Sequence, residues 1–348
     1  MDNGMKKLRV AIVGCGRVSV MHFGSCKLLS DMCELVACCD VKKDRADACA
    51  EKYGIRAYTD YREMIKNEQL DAVHLCLPHY LHSSVACDFF AHGINVLCEK
   101  PMDISYEAAE EAVASADRAG VLYGIVSQCR YNNAVRFVRA RLAEGRLGKI
   151  MSATSTLTWS RSDDYYSESD WKGTWDKEGG GVIIDQAIHS IDLVNWLIDE
   201  EIKDISCSMA NRGHERVFVE DTCDGLITYA SGIRYGFYAM NNNATDEPIE
   251  IKLFCEKGKV RFSYNDAYID YSDGTHEEAH KESDDASFDG AKEYWGEVHV
   301  KQIRQFYAAV LGLEPLEISG HEALKTHALI MKLYELGGMR KKYWEERK

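Results

Sequence analysis

A β-branched apolar run, Leu8-Arg-Val-Ala-Ile-Val13, passes directly into Gly14-Cys15-Gly16-Arg17-Val18-Ser19 and then into a helical stretch. Strand, glycine turn and helix in that order form a cradle in which main-chain N–H groups and the helix dipole face an anion. The alternation continues, with strand-like runs at 34–39, 70–76, 94–98 and 121–127 separated by amphipathic stretches. Such alternation predicts an α/β fold whose first domain is a doubly wound parallel sheet.

In the cradle, Gly14 suits the tight turn and Gly16 the close approach of a pyrophosphate, with Arg17 and Val18 beside it. Ser19 stands where the dinucleotide fingerprint has its third glycine, and is small enough to keep helix and sheet close. Asp40 ends the second strand at the separation expected of a carboxylate that binds the adenosine ribose. That carboxylate favours NAD and repels a 2′-phosphate, although Lys42 and Lys43 lie near enough to attract one. The alternative is that Gly14-x-Gly16 makes an unrelated turn and Asp40 caps the next helix.

After a helical stretch at 132–144 the pattern changes to longer strands at 149–158, 223–229 and 233–240, with turns at Ser231-Gly232 and Glu256-Lys257-Gly258. Alternation in Arg234-Tyr235-Gly236-Phe237-Tyr238 predicts a large, mostly antiparallel sheet, buried on one face and open on the other to a subunit or ligand. Residues 273–289, rich in Asp, Glu, Ser and His, read as an exposed loop. Helices at about 293–311 and 321–339 close the chain. The expected domains are 1–127, binding the nucleotide, and 128–348, binding substrate and partner copies, with the last helices free to pack back on the first.

A net charge of −14 argues against nucleic acid and anionic membranes as partners, because both select clustered Lys and Arg. No run approaches the roughly 20 apolar residues of a membrane helix, and residues 1–9 are too short and polar for a secretory signal, so a cytoplasmic protein is expected. The thirteen cysteines are odd in number and contain no Cys-x-x-Cys pair, which reads as reduced thiols without a metal site.

Two polar groups carry the candidate chemistry. Glu99-Lys100-Pro101 follows the run at 94–98, and Asp185 and His189 follow Gly179-Gly180-Gly181, spaced i,i+4 at the start of a helix reaching about 198. Asp192 is expected to extend their face. An imidazole, with an ordinary pKa of about 6.5, takes a hydroxyl proton at neutral pH, which makes His189 the first choice of general base. Asp185 orients it or binds a neighbouring hydroxyl. Lys100, starting near about 10.4, suits hydrogen bonding to the reacting oxygen, with proton abstraction as its alternative role. Gln128 and Arg130 could reach nicotinamide or substrate, although a salt bridge serves Arg130 equally well. Trp159, Tyr165, Tyr166, Trp171 and Trp175 lie in an aromatic, polar loop suited to stacking on sugar rings or to an interface.

With this cradle, Leu75-Cys-Leu-Pro-His-Tyr-Leu-His82, Glu99-Lys100-Pro101, Gly179-Gly-Gly-Val-Ile-Ile-Asp185-Gln-Ala-Ile-His189, Gln302-Ile-Arg-Gln-Phe-Tyr307 and Gly320-His-Glu-Ala323, nearly the whole chain resembles the Gfo/Idh/MocA oxidoreductases. The resemblance implies a Rossmann domain joined to an α/β domain with an open antiparallel sheet, and dimers or tetramers formed through that sheet. It also implies NAD(P)-dependent dehydrogenation of CH–OH groups in sugars, cyclitols or related diols. It places Lys100 at nicotinamide and substrate, and Asp185 and His189 at the substrate. Leu77, Pro78, His79, His82 and Glu99 then fall along the cofactor, with Arg130, Tyr166 and Trp171 toward the substrate. The aromatic loop resembles that of nucleotide-sugar 3-dehydrogenases, which keep a tightly held NAD and often carry Asn at the position of Asp185; inositol dehydrogenases carry Asp. A non-catalytic NAD-sensing regulator is the alternative of another class, and the joint presence of Lys100, Asp185 and His189 argues against it.

Overall fold

The computed structural model describes residues 6–281 and 298–345. Two compact units divide the chain, one built from 6–128 and 298–325, the other from 129–281 and 326–345.

In the first unit, β1 (Leu8–Val13), β2 (Cys33–Cys39), β3 (Arg56–Tyr58), β4 (Ala72–Leu75), β5 (Asn95–Cys98) and β6 (Tyr123–Ile125) form a sheet of order β3-β2-β1-β4-β5-β6. Every pairing in it is parallel. The connecting helices are α1 (Ser19–Leu28), α2 (Lys43–Tyr53), α3 (Tyr61–Asn67), α4 (His82–Phe90) and α5 (Tyr106–Ala119). Local chemistry sets several ends: the Ser105 hydroxyl accepts the Ala108 N–H to start α5, while Gly54 and Gly120 take left-handed conformations to stop α2 and α5. The chain winds outward from β1 to β3 and then returns to β4 at β1's other side, making a topological switch point. Register aligns Cys39, Val13, Leu75, Cys98 and Ile125, so the residues that follow them share one edge of the sheet.

The second unit holds α6 (Asn133–Ala143), β7 (Ile150–Thr158), α7 (Asp163–Ser167), α8 (Ile188–Ile198), β8 (Ile202–Ala210), β9 (Thr222–Tyr229), β10 (Arg234–Met240), β11 (Glu250–Cys255), β12 (Gly258–Phe262), β13 (Ala267–Tyr271) and β14 (His276–Ala279). Its eight strands run β14-β13-β12-β11-β7-β10-β9-β8, antiparallel except where β7 meets β10. Burial alternates along β7 and β10, as the period of two requires, leaving Thr154, Thr156 and Tyr238 on the accessible side. On the other side Leu157, Ile227, Tyr235 and Leu253 pack into one core with Ile191 and Val194 of α8. The chain then returns to the first unit with α9 (His299–Val310), whose Phe306 and Tyr307 join the core of Phe23, Cys26 and Leu97. α10 (Gly320–Gly337) ends before Gly338, which is left-handed, and α11 (Met339–Glu345) follows.

Two expectations change. The acidic segment is not a loop from its start, because His276–Ala279 pairs with β13; residues 282–289, like 293–297 of the expected closing helix, lie outside the described residues. Asp192 does not extend a reactive face. Its carboxylate is buried, takes two bonds from Arg130 (Nε to Oδ2 2.7 Å, Nη2 to Oδ1 2.6 Å) and accepts the Thr326 hydroxyl at 2.8 Å, tying α8 to α10.

Among the described residues none of the thirteen cysteines is in a disulfide, and most of them are buried. No helix among the described residues is long and apolar enough to cross a membrane.

Removing one member of the Arg130–Asp192 pair leaves a buried charge without its counter-ion. Asp192→Ala should therefore lower unfolding free energy by about 3–5 kcal/mol, measured by urea denaturation; a loss within ordinary surface-mutation range would contradict the structural role assigned to the pair.

Candidate active site

The first unit supplies the cradle. Gly14 has φ +94°, and a Cβ there would lie 2.1 Å from the Cys76 carbonyl oxygen, so the crossing of the β1 and β4 ends admits no side chain. Gly16 differs. A Cβ on it would meet only Arg45 Nη1, at 4.0 Å. Nothing inside the protein demands glycine at 16, as fits a position where a ligand approaches the main chain. Val18, at the N-terminal end of α1, has no side chain that can cap it, as suits a helix end that receives an anion. The Ser19 hydroxyl donates to the Gly16 carbonyl (2.6 Å) and fixes the turn.

Asp40 braces the cradle from β2. Its Oδ2 accepts the Cys15 N–H (2.9 Å) and its Oδ1 the Lys42 N–H (2.8 Å), so it joins the glycine turn to the start of α2. A carboxylate has about four lone-pair positions, and these bonds leave acceptor capacity for ribose hydroxyls. Further along the edge, His82 is fully buried between two loops, Nε2 at 2.9 Å from the Leu77 carbonyl oxygen and Nδ1 at 2.6 Å from that of Pro101. His79 is buried in the short 3-10 turn after Pro78. Gln128, also buried, has a side-chain oxygen with no hydrogen-bond partner among the described residues. An amide N–H donor, such as a carboxamide carries, would satisfy it. The open Gly16, the uncapped α1, Asp40 and this acceptor together fit a nicotinamide dinucleotide.

Glu99 turns inward. Its Oε1 lies 2.9 Å from His22 Nε2 and its Oε2 accepts the Lys100 main-chain N–H at 3.2 Å. The Lys100 side chain is half-buried at the strand end.

The second unit supplies a denser cluster. Residues Ile183–Ala187 form a π-helical turn that runs into α8, a local irregularity that often accompanies function. Asp185 sits on that turn and His189 in the first turn of α8, both half-buried. Asp185 Oδ2 accepts from Tyr165 Oη (2.7 Å), Lys172 Nζ (2.9 Å) and Gln186 Nε2 (2.6 Å). Lys172 also hydrogen-bonds the Tyr165 hydroxyl and stands over the Tyr165 ring, 4.2 Å from its centroid. Sequence reading took Trp171–Trp175 as an aromatic loop and missed its lysine, although a cation between two tryptophans just ahead of a Gly-rich turn was the available signal.

Tyr166 is buried and accepts from Asn241 Nδ2 (2.7 Å), which also donates to Gln186 Oε1 (2.9 Å). Trp171 is half-buried beside Lys172, 5.3 Å from centroid to Nζ. His189 meets the edge of Tyr264. Of the two roles open to Arg130, the structure shows the ion pair with Asp192.

Two buried carboxyls hold this turn up. Glu220 accepts the N–H groups of Gly181 and Ile183, each at 3.0 Å, and the Tyr334 hydroxyl at 2.8 Å. Burial pushes its carboxyl up to about 7. Glu178 accepts the Gly173 N–H and lies 4.0 Å from Lys172; burial raises it to about 8 against the pull of that lysine. The glycines are required by contact: a Cβ on Gly180 would fall 2.0 Å from Tyr334 Oη, and one on Gly181 1.9 Å from the Glu220 carbonyl oxygen.

A family model described as the oxidoreductase family, NAD-binding Rossmann fold, matches residues 8–126, and one for the GFO/IDH/MocA C-terminal domain matches residues 135–261. The myo-inositol 2-dehydrogenase of Thermotoga maritima is 23% identical over 330 residues, 90% of this chain and 92% of that one. The D-glucoside 3-dehydrogenase of Escherichia coli is 32% identical over 197 residues, 55% of this chain and 54% of its own length. Among solved structures, the WlbA dehydrogenase of Bordetella pertussis in complex with NADH and UDP-GlcNAcA superposes with TM-score 0.84 at 26% identity, covering 95% of this chain and 97% of that one.

Gly181→Ala should lower stability by about 1–3 kcal/mol through overpacking against main chain, read by chemical denaturation. The raised Glu178 has a second consequence. An acid held protonated in the fold and ionised in the unfolded chain favours the fold at low pH, and that contribution falls as pH rises from the unfolded value, 4.5, to about 8. Wild-type unfolding free energy should therefore decline relative to Glu178→Gln between pH 5 and pH 8; parallel curves would exclude a raised Glu178.

Proposed function

The chain belongs to the GFO/IDH/MocA oxidoreductases, and from that premise we propose that it is an NAD-dependent dehydrogenase of a secondary alcohol in a sugar or cyclitol. The carrying observation is the Asp185 cluster on the π turn, one residue-turn before His189, in a chain whose other unit keeps the glycine cradle and Lys100. NAD over NADP is supported by Asp40, whose carboxylate would repel a 2′-phosphate.

Bound nicotinamide supplies the hydride acceptor, and the remaining work falls to side chains. In this reading the cradle residues Gly14, Gly16, Arg17 and Val18 hold the pyrophosphate, and Gln128 the carboxamide. Leu77, Pro78, His79 and His82 shape the cofactor's path. His189 takes the hydroxyl proton, since a neutral imidazole accepts it near pH 7. Lys100 hydrogen-bonds the same oxygen and stabilises its growing negative charge. Asp185, oriented by Lys172, Tyr165 and Gln186, accepts from a neighbouring hydroxyl, and Tyr166 and Trp171 border the sugar. A vicinal diol is the substrate pattern that uses both a base and a fixed carboxylate.

The WlbA likeness supports a second reading, a nucleotide-sugar 3-dehydrogenase that retains its NAD. Assembly through the open face of the second sheet is supported by its accessible Thr154, Thr156 and Tyr238. A reducing, cytoplasmic setting is supported by thirteen cysteines that form no disulfide among the described residues.

A panel of hexoses, inositols, uronates and UDP-sugars, followed as NADH absorbance with NAD and NADP compared, tests the proposal; no turnover with any polyol would end it. NAD that copurifies, with turnover only of UDP-sugars, favours the second reading. On the best substrate, Lys100→Met should lower kcat by about 100-fold or more, and His189→Ala should abolish the acidic limb of the pH–rate profile. Full activity in Lys100→Met would refute the role given to that residue.

A further inference from the structure

His22, Glu99 and His299 are the one group of three metal-type ligands found among the described residues, with their ligand atoms within 4.8 Å of one another and all three buried. Two imidazoles and a carboxylate at that spacing could hold a divalent ion. The bonds around them specify something else.

Glu99 Oε1 lies 2.9 Å from His22 Nε2 and 3.3 Å from His299 Nε2. Burial would raise the Glu99 carboxyl, but the bonds from His22 and His299 outweigh it and hold it well below the usual range. Burial lowers His22 and His74, so both rings are neutral. An ionised carboxylate only accepts hydrogen bonds, so His22 carries its proton on Nε2 and is bare at Nδ1. Facing that bare nitrogen at 3.0 Å is His74 Nδ1, which must donate. His74 Nε2 is then bare in turn, and the Tyr307 hydroxyl, 3.1 Å away, donates to it. The phenol oxygen accepts from the Cys26 thiol at 3.2 Å. Every proton points the same way, from Cys26 through Tyr307, His74 and His22 to Glu99, and the other Glu99 oxygen accepts the Lys100 main-chain N–H.

We infer that this one-way hydrogen-bond chain makes Glu99 and His22 positioning residues for Lys100: it fixes an ionised carboxylate beneath the end of β5, and that carboxylate clamps the main chain from which Lys100 projects. The inference rests on Lys100 acting at the reacting oxygen. A metal would need the lone pair of His22 Nε2, which moves the His22 proton to Nδ1 and reverses the chain as far as Cys26. The tautomers therefore separate the two cases.

The test uses the full chain with ¹⁵N-labelled histidine. Side-chain ¹⁵N spectra, assigned with His22→Gln and His74→Gln, should show His22 protonated at Nε2 and His74 at Nδ1, with no stoichiometric divalent metal in the purified protein. In Glu99→Gln, amide hydrogen exchange at Lys100 should quicken and kcat fall about 10–100-fold, while KM for NAD is nearly unchanged. Glu99→Asp keeps the charge but withdraws it by one methylene, so it should move both readouts the same way and serves if the Gln variant does not fold. His22 protonated at Nδ1, or one equivalent of zinc, overturns the inference in favour of a metal site. Slow Lys100 exchange with full kcat in the Asp variant overturns the clamp. Absence of any dehydrogenase activity in the wild type would instead defeat the functional reading, with tautomers and exchange still deciding the chain.

Discussion

The Glu220 carboxyl holds the turn that carries the second unit's candidate site. The peptide N–H groups of Gly181 and Ile183 have no helical partners of their own, and both point at this one side chain, with the Tyr334 hydroxyl completing its shell. Two main-chain donors and a phenol compensate the burial of an acid that would otherwise be costly. The approach is close enough that Gly180 and Gly181 have no room for a Cβ. Asp185 follows four residues later on a π turn, already aimed at Lys172, Tyr165 and Gln186. The triple glycine, the buried acid and the irregular helix start are one device.

The first unit solves a similar problem with its sheet. Aligned strand ends set Gly14, Asp40, Cys76 and Glu99 along one edge, and the Cys76 carbonyl presses so near Gly14 that the turn is glycine by necessity. Gly16 is glycine for no internal reason, and that contrast between neighbours separates a residue needed for folding from one that leaves space. Asp40 contributes to both, bonding the turn while keeping acceptor capacity.

Legibility in the sequence followed the strength of local pattern. Strands buried on both faces, such as β1 and β4, announce themselves as apolar runs. The edge strands β3 and β14 carry almost no buried side chains and have no such signature, and β8 is largely exposed for the same reason. Asp185 and His189 stand out as candidates through the triple glycine before them and the family resemblance, since i,i+4 spacing alone more often marks a structural pair. Lys172 was hidden by the tryptophans around it. Glu178 and Glu220 were hidden by their type, because a carboxylate in a sequence reads as surface unless something shows that it is enclosed. Arg130 has two readings in the sequence, a ligand contact and a salt bridge, and only the fold shows its ion pair, with an Asp192 that the sequence places on the same face as Asp185 and His189.

His82 carries a consequence beyond its place in the core. Its ring touches two carbonyls, one from the loop after β4 and one from Pro101, and burial lowers its pKa against the pull of those two carbonyls. A neutral imidazole owns a single N–H. Such a ring donates to one carbonyl and sets a bare nitrogen lone pair against the other, whereas an imidazolium donates to both. Joining the two loops through this ring therefore sets the gain of a second hydrogen bond against the cost of burying a charge.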